Sequence, residues 1–381
     1  MKALSIDPAG IEIMRQKGQY LILKTDPITF PAANILKQQI LSVGGECAVS
    51  RDVATGKAPA TPVILIGNRR QYKRLIESIK NQYFGLSELA VELEKYLAKI
   101  CEPKTFRIGS HSCRTDGKTL VMGILNVTPD SFYDGGKNFE VATAVEAACQ
   151  MEAHGADIID IGGESTRPGS DPISTRDEIA RLQPIIEQLI SRIKIPLSVD
   201  TYKSAVAEWA LQNGAVLIND ISGLNFDPTL AETIAKHKAG VVLMHIKGTP
   251  KNMQVDPHYD NLIDEILAYL SDSIEKARLA GINEAQIFID PGIGFGKTVD
   301  DNYRILHYLE EFQSLGYPIL IGPSRKSFIG KVLDLSPSER LEGTLAAVTA
   351  AVLNGASIIR VHDVQAVNRA VKIADAIRGI T

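Results

Sequence analysis

Eight apolar runs in this 381-residue chain each give out on a hydrogen-bonding or ionisable side chain. In order these are Asn126, Asp160, Asp200, Asn219 with Asp220, His245, Asp290, Ser324 with Lys326, and Arg360 with His362. A single polar residue in such a place can cap the following helix, and Asp200 before "TYKS" has that alternative. Capping does not explain eight in series. A carboxylate such as Asp290 accepts two parallel N–H donors, as a guanidine-like ring edge offers, and Asn219 can donate and accept together. Lys326 supplies point-charge donors to ring carbonyl or nitrogen acceptors. Arg360 and His362, with the amide of Asn126, make the natural anion corner. These residues alone suggest a heteroaromatic ring at depth and a phosphate nearer the mouth.

Something must hold those residues at one level. From residue 119 onward, short β-branched runs alternate with helical patterns: "TLVMGILNV" (119–127), "DIIDIGG" (157–163), "PLSVDT" (196–201), "VLINDIS" (216–222), "GVVLMHI" (240–246), "QIFIDPG" (286–292), "PILIGPS" (318–324) and "IIRVHD" (358–363). Several of the helical stretches between them end in Gly-Ala, a helix stop. Strands this apolar are buried on both faces. The fold class expected is α/β, a (β/α)₈ TIM barrel preceded by a small α/β N-terminal domain, with its active site at the C-terminal ends of the strands. An open doubly wound sheet is the alternative, but it needs a reversal of strand order and usually has fewer units.

The domains expected are 1–101, of unknown role, and a catalytic barrel over 102–381. "YLILKT" and "PVILIG" read as strands of the first, with helices over "NILKQQILSV" and "LSELAVELEKYLAKI". "CEPKTFRIGSHSCRTDGKT" reads as a connection, with a hairpin under the barrel floor. A net charge of −4 with no basic block predicts neither nucleic acid nor membrane as partner. The start of the chain has no secretory pattern and no run approaches ~20 apolar residues. The four cysteines lack a metal-binding spacing. A cytoplasmic protein with reduced thiols is expected.

Taken together, "GILNVTPDSFYDGG", "DIGGESTRPGS", "SVDT", "INDISG", "DPGIGFGK", "GPSRKSFIG" and "IRVHDV" resemble the dihydropteroate synthase family, from about residue 119 to the end. The resemblance implies a transferase that joins 4-aminobenzoate to a dihydropterin diphosphate and releases diphosphate. It implies that Asp200, Asn219, Asp290 and Lys326 hold the pterin, and that Asn126 ligates Mg²⁺ and, with Arg360 and His362, holds the diphosphate. Thr166, Arg167 and Pro168 belong to a loop over the aminobenzoate; Phe132, Asp134 and Phe295 help build its pocket, and Ser327 meets its carboxylate. Lys326, Arg360, Asp134 and Arg167 are the implied catalytic set, and a homodimer the implied assembly.

Blander readings stand beside these. "DPGIGFGKT" is not a P-loop, because Pro291 stands where the first glycine belongs, and Lys297 reads as a solvated loop charge. Asp160 and Glu164 read as anchors of loop backbone, Asp220 as structural because side chains alternate along a strand, and Asp130 as a turn cap. His245 is equally a site residue or a satisfied barrel histidine. Two rival functions are a methyltetrahydrofolate–corrinoid methyltransferase, which has no use for "STRPG" and "SRKS", and a non-catalytic pterin-binding regulator. The intact anion corner of Asn126, Arg360 and His362 argues against the regulator.

Overall fold

Apolar runs with no polar alternation leave a strand no face to give to water, so the strands must be covered on both sides. In the computed structural model, which describes residues 20–57, 59–101, 104–114, 117–127 and 137–379 with positions 7, 10, 14, 17 and 18, they form one parallel sheet of eight. Its strands are β1 (Leu120–Asn126), β2 (Ile158–Gly162), β3 (Leu197–Asp200), β4 (Leu217–Asp220), β5 (Gly240–Met244), β6 (Ile287–Asp290), β7 (Leu320–Ile321) and β8 (Ile358–Val361). Their order is β6-β5-β4-β3-β2-β1-β8-β7, and a parallel bridge between Ile289 and Ile319 joins the two ends into a barrel. The seventh strand is shorter than its sequence suggests. Pro318 and Pro323 flank it and cannot donate to a ladder, so closure rests on that bridge and on Ile289 N–H donating to Pro318 O at 3.0 Å.

Helices cover the outside: α1 (Lys137–Ala153), α2 (Thr175–Arg192), α3 (Ser204–Gln212), α4 (Leu230–Lys236), α5 (Leu262–Leu279), α6 (Val299–His307), α7 (Ser327–Leu333), α8 (Leu341–Leu353) and α9 (Val364–Arg378). Local chemistry sets their ends. Ser174, Asn261 and Thr298 accept from the first-turn amides of α2, α5 and α6. At the end of α8 the Gly-Ala stop places Gly355 at φ 97°, a turn that a side chain would strain.

Register decides what meets at the mouth. Asn126 pairs with Gly162, Gly162 with Asp200, and Asp200 with Asn219, so these four share one level. Arg360 lies opposite Met122, two residues below the level of Ile124 and Asp160. At the floor, Thr105–Ile108 and His111–Arg114 pair as an antiparallel hairpin. Phe106 is buried, with its ring 6.0 Å from those of Phe288 and Tyr317.

The chain divides into Met1–Glu102 and Pro103–Thr381. The first unit has a three-stranded antiparallel sheet with Val63–Asn68 between Tyr20–Lys24 and Glu46–Val49. Helices Phe30–Ser42, Arg69–Ile79 and Leu86–Cys101 complete it, around a core of its own that includes Leu36, Ile40, Leu65 and Tyr72. Sequence reading passes over Glu46–Val49, four residues with no period to detect, and the helix Arg69–Ile79. The helix did carry a signal, because its buried Tyr72, Leu75, Ile76 and Ile79 keep helical spacing.

Candidate active site

The deepest part of the site is a guanidinium shared by two carboxylates. Because Arg360 starts below them, its side chain runs up inside the barrel. Nε donates to Asp160 Oδ2 at 2.6 Å, and an Nη to Asp200 Oδ2 at 2.7 Å. Asn219 Nδ2 donates to the same Asp160 oxygen at 3.0 Å. This corrects the reading of Asp160 as a loop anchor: it is fully buried beneath the ring residues and holds both Asn219 and Arg360 in place. Two of the Arg360 donors are thereby engaged inside the barrel. Asp160 Oδ1 and Asp200 Oδ1 are buried and have no hydrogen-bond partner among the described residues. A buried acceptor without a donor costs free energy, and the Asp200 oxygen, at its strand end level with Asn219, is placed to take a ligand's N–H. Burial pushes the Asp200 carboxyl up to about 7; Arg360 opposes the shift, and Asp160, Glu178 and Asp220 add to it.

Across the mouth stand Asp290 and Lys326. Gly292 N–H donates to Asp290 Oδ1 at 2.7 Å, which aims the carboxylate. Gly292 has φ 73°, and a Cβ there would lie 1.9 Å from His245 O. Only glycine fits. Lys326 donates to Ile293 O, and its Nζ lies 4.7 Å from the centre of the Phe295 ring. Burial lowers the Lys326 ammonium to about 8, against Asp290, which favours its charge; burial also raises Asp290, against Lys326 and the Gly292 amide.

Lys297 is not a solvated loop charge. It is 3% exposed, and its Nζ lies 2.9 Å from His245 Nδ1 and donates to Phe295 O at 3.0 Å. Burial moves both partners toward their neutral forms. His245, edge-on to Tyr269 with centroids 4.7 Å apart, is a satisfied barrel histidine. The glycine-rich loop hid this role, because spacing says nothing about which way a lysine turns.

At the mouth beside β1, Asn126 Nδ2 lies 3.5 Å from His362 Nε2, and Ser324 Oγ lies 3.0 Å from His362 Nδ1. Burial first, then Arg360 and Arg325, lowers His362 to about 4, so near neutrality it offers an N–H dipole rather than a charge. Thr166, Arg167 and Pro168 sit in the loop after β2, with Arg167 and Pro168 exposed. Ser327 is exposed at the start of α7. Arg325, between Ser324 and Lys326, forks onto Asp363 at 2.8 and 2.5 Å and so fixes that loop. Asp220 accepts from Ser222 and Leu224 and is structural; Glu164 accepts Ile173 N–H, a loop anchor as read from the sequence. Asp130, Phe132 and Asp134 lie outside the described residues.

Among the described residues no three His, Cys, Asp or Glu side chains group to hold a metal. Asn126, at the end of β1 with its amide beside His362, carries an oxygen of the kind Mg²⁺ takes.

A family described as "Pterin binding enzyme" matches residues 122–362. A dihydropteroate synthase of Synechocystis sp. is 49% identical over 261 residues, 68% of this chain and 90% of that protein. A probable bifunctional folylpolyglutamate synthase/dihydropteroate synthase of Halobacterium salinarum is 42% identical over 374 residues, 98% of this chain but 45% of that longer protein. Among solved structures, the Yersinia pestis dihydropteroate synthase with a sulfonamide drug is 42% identical with a TM-score of 0.69, covering 72% of this chain and all of that one.

Proposed function

Because the chain belongs to the dihydropteroate synthase family of pterin-binding enzymes, its reaction is the joining of (7,8-dihydropterin-6-yl)methyl diphosphate to 4-aminobenzoate, and we propose that the residues above carry it as follows. The unpartnered buried oxygen of Asp200, level with Asn219, is the observation that carries the assignment of the ring site. Asp200 and Asp290 accept the N–H groups of the pterin edge. Asn219, held by Asp160, donates and accepts beside them, and Lys326 donates to a ring acceptor. Arg360 keeps donors beyond the two engaged with Asp160 and Asp200; with His362 and Asn126 these meet the diphosphate.

The aryl amine of 4-aminobenzoate is neutral and nucleophilic at pH 7, so no strong general base is needed. A bond from its nitrogen to the methylene carbon forms, the bond to the diphosphate oxygen breaks, and the proton shed by the amine passes to water. The protein's work is on the leaving group, whose growing charge Arg360 and the His362 dipole stabilise. Mg²⁺, held by Asn126 and the diphosphate, supplies further charge neutralisation when bound. Thr166, Arg167 and Pro168 close over the aminobenzoate, Phe295 forms a wall, and Ser327 meets the carboxylate; Phe132 and Asp134, outside the described residues, are assigned to the same substrate.

Residues 102–381 form the catalytic domain in this reading. A homodimer is supported by Ile373 and Ile377, exposed one turn apart on α9, and is checked by sedimentation. No helix among the described residues is long and apolar enough to cross a membrane, and a cytoplasmic location suits the free thiols Cys47, Cys113 and Cys149. Mixing the two substrates with Mg²⁺ and enzyme should release one diphosphate per dihydropteroate formed. Absence of diphosphate release with folded enzyme overturns the assignment.

A further inference from the structure

We infer that Lys203 is a positioning residue for the second substrate, acting by closing the neck of the loop that carries Thr166, Arg167 and Pro168. This inference rests on the function proposed above. The loop leaves β2 at Glu164 and returns to α2 just beyond Ile173. Its two feet are tied to each other: Ile173 N–H donates to Glu164 Oε2 at 2.9 Å. Lys203, in the loop after β3, then binds both feet. Its Nζ donates to Glu164 Oε2 at 2.5 Å and to Ile173 O at 2.7 Å. A third bond, to Glu178 Oε2 at 2.7 Å, fixes the assembly to the first turn of α2. Tyr202 O–H donates to Glu164 Oε1 at 2.8 Å, so two neighbouring residues of the β3 loop grip one carboxylate.

These are not surface pairs of small worth. The Lys203, Glu164 and Glu178 side chains are 15%, 6% and 1% exposed, and an ammonium with three acceptors in that setting is fully used. Beyond the neck the ties are more exposed: Ser170 Oγ bonds Ser165 O and Arg167 O, Ser170 N–H donates to Arg167 O, Gly169 N–H donates to Pro250 O, and Asp171 pairs with Lys251 at the surface. Lys203 stands three residues after Asp200, on the same β3 loop. One short segment therefore holds both the pterin carboxylate and the feet of the loop over the aminobenzoate.

Lys203→Met removes the clasp and leaves two carboxylates facing each other. Lys203→Met with Glu178→Gln keeps the net charge of the group at −1 and leaves the Glu164 carboxylate its Ile173 N–H and Tyr202 O–H donors, so it tests the clasp without setting two carboxylates against each other. Both should leave dihydropterin diphosphate affinity within about twofold of the parent by calorimetry. Both should raise the half-saturating 4-aminobenzoate concentration on the order of 10- to 100-fold, the scale of a misplaced binding loop. Lys203→Arg, which keeps donors for both carboxylates, should recover most of that loss. Amide exchange over residues 165–173 should accelerate in the Met variants with no substrate present. Folded variants with parental 4-aminobenzoate saturation and parental exchange overturn the inference, as does an equal loss of pterin affinity, which would mean a general scaffold role. If the parent enzyme releases no diphosphate, the functional assignment fails instead, and exchange still reads the neck.

Discussion

Asp290 and Asp200 face the same ring in the proposed reading, yet their surroundings differ. Asp290 is aimed by one backbone amide and balanced by Lys326, whereas Asp200 shares Arg360 with Asp160. Replacing Asp290 by alanine leaves the barrel folded and removes the acceptor of ring N–H groups. Pterin affinity should fall on the order of a hundredfold, from the loss of charge-assisted hydrogen bonds. Near-parental affinity in calorimetry would sink the assignment. Asp200 carries a prediction about pH. Its pKa is raised to about 7, so it holds a proton below that pH and is a better acceptor above it. Pterin affinity should therefore rise with pH through about 7. Since Asp160 pushes Asp200 upward, Asp160→Asn should move the midpoint lower. A pterin affinity flat across this range, or an unmoved midpoint in the variant, contradicts the pairing of these carboxylates.

The glycine-rich segment after β6 binds the ring site into one element. Gly292 aims Asp290 through its amide, while Ile293 O and the Phe295 ring receive Lys326. A methyl at Gly292 meets His245 O and must also be carried at positive φ. Both effects act in the folded state, so Gly292→Ala should destabilise the protein by roughly 2 kcal/mol or more. Denaturant midpoints measure that directly, and pterin affinity should fall with it because the amide that aims Asp290 moves. An unchanged midpoint would mean that the loop has room to shift, and that the close approach to His245 does not constrain the site.

Among the described residues one hydrophobic core draws only on residues 23–97, while the large core over residues 106–374 and a small cluster of Ile221, Met244, Ile246 and Met253 belong to the second unit. Every assigned site residue belongs to the second unit. A chain begun at residue 104 should therefore keep most of its turnover. The starting point matters. Phe106 and Ile108 of the floor hairpin are buried in the barrel core, and losing them costs roughly 3–6 kcal/mol, a large part of a domain's stability. A chain begun at residue 118 should thus melt well below one begun at 104. A soluble, folded chain from residue 104 with no turnover would show that Met1–Glu102 contributes to catalysis.

The sequence by itself determined the barrel and the list of strand ends. Eight two-faced apolar runs admit few other folds, and a parallel barrel brings all their C-terminal ends to one rim. It determined the family as well, because motifs such as "STRPG" and "SRKS" combine specific residue types at fixed spacing. Depth and direction were decided only by the tertiary structure. Asp160 and Asp200 look alike as residues that end an apolar run, but Asp160 lies two residues inside its strand end, so it became the support beneath the ring site. Arg360 turned inward because register set it below two carboxylates. Lys297 and Lys203 both follow a strand, and the first reads as an ordinary loop charge while the second carries no signal at all. Each found acceptors supplied by segments far along the chain: His245 for the first, Glu164, Ile173 and Glu178 for the second. Hydrogen bonds across that distance in sequence depend on how strands are staggered and loops folded back, which local patterns of residue type do not encode.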